Sequence, residues 1–227
     1  MARTSILLLV IFLSISPVHS SSLKSWQEIS LNAKETLMER NHFESTFGKA
    51  MLERLLQQVQ PTKGPTAEEQ AALYFFRKEA GYFEVNAYLR GAKSTNYTPR
   101  GLLAIARLIA SGLNKLPKEK THTGDVYRGT HLTNEQISKQ YKVDKVITEK
   151  AFTSCCVDKS VAAIYARGAK QVGKSQVLFV IKSATGKRVS EGLTGEVLFL
   201  PGSQFKVVAN EVDEWKRVVI TLQEVTK

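Results

Sequence analysis

The pattern of apolar residues changes near Val126, and this change constrains the fold more than any other feature of the sequence. Between Trp26 and Val59, apolar residues recur mostly at three- and four-residue spacings, the period of an amphipathic helix. Beyond Val126, short runs rich in β-branched and aromatic residues follow one another. Helices first and strands afterwards predict an α+β fold, with a helical N-terminal lobe and a mostly antiparallel sheet.

Glycine and proline divide the helical half. Residues 61–65 end the first helical region, and Thr66, followed by two glutamates, is typical of a helix start. Gly81 is expected to interrupt that helix before another over residues 82–90, and the last apolar helix covers residues 101–116. The second half is expected to contain one helix, 158–165, and six strands: 126–128, 150–156, 176–182, 196–200, 205–208 and 216–225.

The first twenty residues have the layout of a secretory signal peptide. Arg3 is their only charged side chain, an apolar run over residues 6–15 follows it, and Val18 and Ser20 suit cleavage near Ser20. The run is shorter than the roughly 20 residues of a membrane span, although an uncleaved anchor or a buried helix is an alternative. We therefore expect a secreted protein without a transmembrane segment. Residues 21–227 would form one domain, with the helical lobe over about 24–120 and a β-rich core over 121–227.

The formal net charge of +11 would attract an anionic partner, such as nucleic acid, an anionic membrane surface or the pyrophosphate of a dinucleotide. Lys and Arg are spread along the chain, without a block of five and without interleaved aromatic residues. This distribution shows no specific nucleic-acid signal. Solvated basic faces are the favoured interpretation of this charge, and a specific anionic partner is the alternative.

Cys155 and Cys156 are the two cysteines of the chain, and they are adjacent. Neighbouring cysteines rarely bond to each other, because a disulfide requires Cα atoms about 5.5 Å apart in a favourable geometry. We expect both to be small, buried apolar side chains at a strand, without a disulfide. The histidines show no ligand spacing with this pair, so no metal is predicted. The sequence also lacks a GxGxxG or Walker-type loop, so dinucleotide binding of the Rossmann type is not expected.

Three short segments carry the candidate chemistry: residues 126–129, 151–154 and 196–207. Taken singly, each is ordinary, because an Arg or Glu at a strand end is most often a surface charge. A Ser after Phe-Thr most often belongs to a turn. Residues 81–90, Gly-Tyr-Phe-Glu-Val-Asn-Ala-Tyr-Leu-Arg, form a fourth segment upstream of the other three.

Together and in this order, the four segments resemble the Arg-Ser-Glu class of mono-ADP-ribosyltransferases, in the branch of bacterial exotoxins and vertebrate ecto-enzymes. Residues 81–90 match that family's Tyr-x-x-Ile-Asn-x-x-Leu-Arg helix. The resemblance implies an α+β fold with a mostly antiparallel β-sandwich core after the helical lobe. It also implies a toxin or effector that uses NAD as co-substrate, without a metal, and transfers ADP-ribose to a target protein.

The resemblance assigns a role to each matched residue. Arg128 would grip phosphate or ribose oxygens through bidentate, charge-assisted contacts, and the backbone at Gly129, which lacks a Cβ, would hold the nicotinamide amide. Ser154 would steady the nicotinamide ribose and Glu196. The Glu196 carboxylate would stabilise the positive charge that develops on the ribose. Phe152 is a candidate cofactor contact, with core packing as the favoured alternative.

Two departures from the family pattern bear on function. Arginine-modifying members carry Glu-x-Glu, whereas residues 194–196 read Thr-Gly-Glu, so Thr194 replaces the acceptor-side carboxylate. Glu191 is a candidate substitute, although a glycine separates it from this triplet. Residues 154–156 read Ser-Cys-Cys where the family has Ser-Thr-Ser, which keeps only the first hydroxyl.

Three alternatives to the transferase stay open. Water as the acceptor would make the protein an NAD glycohydrolase. A secreted binding module would keep the fold without catalysis, although the retention of Arg128, Ser154 and Glu196 together argues against it. A nuclease is least favoured, because no pair of histidines and no His–Glu arrangement suits general acid–base cleavage of RNA. The pattern does not indicate an oligomeric state.

Overall fold

The computed structural model describes residues 25–60, 62–78, 81–93, 96–168, 171–191 and 195–226. The predicted signal peptide lies outside these residues. The helices are α1 Ala33–Phe47, α2 Lys49–Gln58, α3 Ala67–Lys78, α4 Gly81–Leu89, α5 Pro99–Lys115, α6 Asn134–Gln140 and α7 Lys159–Arg167. The strands are β1 Gly124–Thr133, β2 Val146–Thr148, β3 Thr153–Cys156, β4 Lys174–Ser183, β5 Lys187–Arg188, β6 Glu196–Phe199, β7 Gln204–Val212 and β8 Val218–Val225.

The helical lobe, α1–α5, follows the predicted order with one added break. Gly48 has φ of +88°, a conformation that favours glycine, and it separates α1 from α2 where a single helical region was predicted. Thr66 Oγ1 accepts a hydrogen bond from Glu69 N, and the Glu69 carboxylate accepts one from Thr66 N at 2.8 Å. This reciprocal cap confirms the predicted helix start. Helix α4 is the helix that was predicted to follow the interruption at Gly81, and it begins at Gly81 itself.

The eight strands form one hydrogen-bonded sheet in the order β2-β7-β8-β4-β1-β3-β6-β5, antiparallel except for the β4–β8 pair. A single register pair, Tyr127 with Cys156, joins β1 to β3 and divides the sheet into halves of five and three strands. Side chains from both halves share one buried cluster, which includes Val126, Phe179, Phe205, Val197 and Phe199. The predicted α+β class with a mostly antiparallel β-sandwich core is confirmed.

A second buried cluster fills the helical lobe and continues to the sheet. Its members come mainly from α1, α2, α3 and α5, and it also includes Phe152 and Leu198. Because one apolar cluster joins the two parts, the lobe and the sheet pack as a unit. Within the described ranges, no helix combines the length and the apolar character that crossing a membrane requires.

Candidate active site

Asn86 in α4 connects the helical lobe to the strand that carries Ser154. Its Nδ2 donates to the Phe152 carbonyl at 3.2 Å, and its Oδ1 accepts from Phe152 N at 3.1 Å. Both bonds are buried, and they satisfy backbone groups that lie just outside the β3 ladder. Asn86 therefore fixes the chain immediately before β3.

Phe152 itself belongs to the core. Its side chain is 0% exposed, and its ring packs against Trp26 and Phe76 with centroid separations of 6.3 and 5.3 Å. A ring without exposed surface cannot stack on a ligand in a cleft. The candidate role of Phe152 as a cofactor contact is therefore wrong, and the core-packing alternative is confirmed.

Arg128, Ser154 and Glu196 meet in one cleft of about 700 Å³. They come from β1, β3 and β6, which are neighbours in the sheet. Ser154 Oγ donates a hydrogen bond to Glu196 Oε1 at 2.7 Å. Arg128 Nη1 donates to the Ser154 carbonyl at 2.9 Å. The structure thus brings together the three residues that the sequence nominated as catalytic.

Tyr82, in α4, holds the other side of the Arg128 guanidinium. Arg128 Nη2 donates to Tyr82 Oη at 2.8 Å. Burial acts to lower the pKa of Arg128, but interactions with Tyr82, Cys155 and Glu149 outweigh it, and the pKa is raised. A guanidinium has five N–H donors, so one that is fixed by these contacts keeps donors for a ligand.

Glu196 is held through both carboxylate oxygens. Ser154 binds Oε1, and Nε of Arg77, at the end of α3, donates to Oε2 at 2.6 Å. The backbone N–H of Glu196 donates to Ser190 Oγ at 2.9 Å. The arrangement fixes a negative charge inside the cleft, and Arg77 is a member of the site that the sequence analysis missed.

Gly129 lines the cleft next to Arg128, and its missing Cβ is also required by the packing of α7 on β1. A Cβ at this position would overlap the backbone of Ala162 and Ala166 in α7. The glycine therefore allows α7 to lie directly on β1. The expected reason, close approach of a ligand, is not needed to explain this glycine.

Gly129→Ala is expected to lower the free energy of unfolding by about 1–3 kcal/mol, because the new methyl group must push α7 away from β1. Thermal unfolding of the variant and the wild type measures the change. Thr221→Ala, on β8, is the control for an alanine at a partly buried strand position. Equal melting temperatures for Gly129→Ala and the wild type would show that α7 can move away from β1 without a loss of stability.

Two exposed aromatic side chains also line the cleft. Phe83 in α4 is 75% exposed and Tyr165 in α7 is 65% exposed. Flat aromatic faces suit contact with a planar ring such as nicotinamide or adenine. The sequence analysis assigned neither residue to the site, because neither differs in its local pattern from a residue that packs in the core.

The acceptor-side candidate Glu191 lies outside this cleft. Glu191 lines a second cavity of about 320 Å³, here called the side cavity, whose lining also includes Tyr74, Arg77, Arg188 and Ser190. The Glu191 carboxylate binds Lys120 Nζ at 2.5 Å, and this contact lowers its pKa. Glu191 does not line the cleft that holds Glu196. Thr194 lies outside the described residues.

Both cysteines are free thiols, as predicted, but only Cys155 is buried and Cys156 is half-buried, so the predicted burial of Cys156 is wrong. Burial raises the pKa of Cys155 to about 12 and also raises that of Cys156, so neither is a thiolate at neutral pH. The described part of the chain contains no group of three or more His, Cys, Asp or Glu side chains placed to hold a metal ion.

Residues 21–227 match the family described as ART, NAD:arginine ADP-ribosyltransferase. The chain belongs to this family. Its members use NAD as a substrate, and the cleft that holds Arg128, Ser154 and Glu196 contains the three residue types expected for that class.

A curated relative in the family is Mav of Mycobacterium avium (strain 104), named as an NAD(+)–arginine ADP-ribosyltransferase. It is 35% identical over 150 residues, which are 63% of this chain. The matched part spans only 16% of the length of that relative.

Two solved structures support the fold. The Vis toxin, an ADP-ribosyltransferase from Vibrio splendidus, is 25% identical, with a TM-score of 0.60 over 88% of this chain and 89% of the toxin chain. The type III effector XopAI from Xanthomonas axonopodis pv. citri is 22% identical, with a TM-score of 0.62 over 88% of this chain and 86% of the effector chain. The second likeness is one of fold alone.

Proposed function

We propose that this protein is an NAD-dependent mono-ADP-ribosyltransferase that breaks the nicotinamide–ribose bond and transfers ADP-ribose to a protein side chain. The observation that carries the proposal is the 2.7 Å hydrogen bond between Ser154 Oγ and Glu196 Oε1, beside the Arg128 guanidinium. Serine, carboxylate and guanidinium share a cleft of about 700 Å³. A volume of this order suits a ligand of nucleotide size.

The chemistry follows from the charges. When the bond breaks, nicotinamide leaves with the electron pair, and positive charge develops on the ribose. The Glu196 carboxylate, already fixed by Ser154 and Arg77, can stabilise that charge without reorganising. A nucleophile then donates an electron pair to the ribose C1 and loses a proton. The fixed guanidinium of Arg128 supplies charge-assisted donors for the anionic part of NAD.

Arginine is the acceptor class to test first. The family description names arginine, and the name of Mav, NAD(+)–arginine ADP-ribosyltransferase, also contains it. The positive charge of an acceptor guanidinium would draw it towards the negative carboxylate of Glu196. This attraction would bring one of its nitrogens close to the ribose that it attacks. Agmatine, a small alkylguanidine, is therefore a suitable probe of transfer.

NAD glycohydrolase activity is the second candidate. Thr194 replaces the first acid of Glu-x-Glu, and the Glu191 carboxylate is engaged by Lys120. An acceptor guanidinium therefore has fewer free carboxylates to bind than in the family pattern, which favours water as the acceptor.

Nicotinamide release by the purified chain without residues 1–20 distinguishes these functions. Labelled NAD is supplied alone, with agmatine, or with a cell lysate. Transfer predicts nicotinamide release together with ADP-ribosyl-agmatine and labelled protein bands. Release without any labelled acceptor would support the glycohydrolase, and no release in any arm would refute both functions.

We also propose that the protein is secreted after removal of residues 1–20. The proposal is supported by Arg3, the apolar run over residues 6–15 and the small residues near Ser20. Mass spectrometry of the protein from culture medium should find an N-terminus close to Ser21. A protein that stays in the cells with residues 1–20 attached would contradict the proposal.

A further inference from the structure

Arg128 lies between two spaces. It lines the cleft that holds Glu196, and it also lines another cavity of about 700 Å³, here called the α6 cavity because α6 forms part of its wall. Tyr82, Phe83 and Thr130 line both spaces as well. The cleft and the α6 cavity are therefore neighbours, and Arg128 belongs to the wall that they share.

A dinucleotide needs more room than the cleft alone provides. The proposed function places the reacting ribose next to Glu196 and the diphosphate at the Arg128 guanidinium. The volume of the cleft suits one nucleotide, so the adenosine beyond the diphosphate is expected to lie in the α6 cavity. The floor of that cavity is apolar and suits a purine ring, since Phe179, Phe205 and Leu222 are at most 5% exposed.

The lining of the α6 cavity carries more positive charge than a diphosphate requires. Four of its residues are cationic: Arg90, Arg128, Lys145 and Lys150. Glu149 is the one acid among the described residues of this lining. A diphosphate bridge carries one negative charge on each phosphate, so the bridge and Glu149 together leave one of the four positive charges unmatched. A further anionic group on the ligand would match it.

The unmatched charge lies at the mouth of the α6 cavity. Glu149 is at the inner end, because its carboxylate interacts with Arg128 and its Oε1 lies 3.5 Å from the hydroxyl of the buried Tyr141. Lys145 and Lys150 are exposed. Lys145 Nζ donates to a backbone carbonyl at 2.9 Å, a contact that does not neutralise its charge. The two lysines therefore face the side of the ligand that lies beyond the diphosphate.

We propose that the protein accepts a nicotinamide dinucleotide with a third phosphate on the adenosine ribose, the chemistry of NADP, and that Lys145 and Lys150 bind this phosphate. The inference rests on the proposed transferase function, which places the diphosphate at Arg128. The reaction is the same as with NAD: the nicotinamide–ribose bond breaks, nicotinamide leaves with the electron pair, and the acceptor bonds to the ribose C1 and loses a proton. The third phosphate stays on the transferred group.

Calorimetric titration with adenosine 2′,5′-bisphosphate and with 5′-AMP measures the contribution of the third phosphate without turnover. The wild type should bind the bisphosphate about tenfold more tightly, because hydrogen bonds between ammonium and phosphate are charge-assisted. A variant with both Lys145→Gln and Lys150→Gln keeps polar side chains without the charges, and its two Kd values should be similar. Added salt should reduce the difference in the wild type, because both lysines are exposed.

Nicotinamide release from NAD and from NADP tests the consequence for turnover. In the wild type, kcat/KM for NADP should be at least that for NAD. In the double variant it should fall by about tenfold for NADP and by less for NAD, which lacks the third phosphate. Lys34→Gln combined with Lys182→Gln is the matched control, because both lysines are exposed and lie outside the α6 cavity. The melting temperature of each variant confirms that it is folded.

Equal affinity of the wild type for the two adenosine ligands, or nicotinamide release from NAD alone, would overturn the inference. An equal loss of NAD and NADP turnover in the double variant would also overturn it, because the lysines would then bind the diphosphate that both substrates share. Failure of the proposed function looks different. The wild type would then release no nicotinamide from either dinucleotide, although it would still bind the bisphosphate more tightly than 5′-AMP.

Discussion

Glu196→Gln is expected to reduce nicotinamide release by about 10²–10³-fold while NAD affinity stays near that of the wild type. Glutamine has the size of glutamate and can still bond to Ser154, but it lacks the negative charge. The charge matters when positive charge develops on the ribose, so its loss acts on the transition state more than on the bound substrate. Single-turnover release and NAD titration by calorimetry measure the two quantities separately.

Glu135→Gln is the matched control, since Glu135 is an exposed glutamate of α6 that pairs with Lys139 at 2.7 Å outside the cleft. It should leave both the release rate and NAD affinity unchanged. Equal release by Glu196→Gln and the wild type would remove Glu196 from the mechanism. A variant that loses NAD affinity together with its melting transition would indicate that Glu196 supports the fold.

Arg128→Lys is expected to raise the KM for NAD by about 10–100-fold, which corresponds to roughly 1.4–2.8 kcal/mol. Lysine keeps the charge but has a single ammonium group. It cannot bind the Ser154 carbonyl and Tyr82 Oη in the geometry that arginine uses. It also cannot bind a diphosphate in a bidentate manner. The melting temperature should also fall, because buried partners lose a donor. Steady-state kinetics and thermal unfolding test both effects.

Arg100→Lys serves as the control for this substitution. Arg100 lies in α5, its side chain is 47% exposed, and its contact with Glu39 is longer, at 3.6 Å. Both its KM for NAD and its melting temperature should stay close to the wild type. If Arg128→Lys kept the wild-type KM, a simple positive charge would suffice at this position, and the bidentate role would be refuted.

The strand-borne part of the site could be predicted because each residue lies in a recognisable local segment. Arg128, Ser154 and Glu196 each follow or begin a β-rich run, and the antiparallel sheet brings those runs together. Arg77 could not be found in this way, and Tyr82 lies in the matched segment 81–90 but its contact with Arg128 could not be predicted from that segment. Their contacts with Glu196 and Arg128 span 119 and 46 residues, and they depend on how the helical lobe packs against the sheet.

The sequence analysis missed helix α6 and strand β2, whose residues show little apolar periodicity. Helix α6 reads Asn-Glu-Gln-Ile-Ser-Lys-Gln, with one apolar residue, and its start is marked only by the reciprocal bonds between Thr133 and Gln136. Strand β2 has three residues and pairs only with β7 at the edge of the sheet. Such elements are set by tertiary packing rather than by local propensity.

The bonds from Asn86 to Phe152, from Tyr82 to Arg128 and from Arg77 to Glu196 all run from the helical lobe to the sheet. None of them exists in a chain whose two parts have not come together. The catalytic site is therefore a property of assembly, since an incomplete chain on the ribosome holds neither Arg77 against Glu196 nor Arg128 against Tyr82. The site that would bind NAD forms only once the helical lobe and the sheet have packed together.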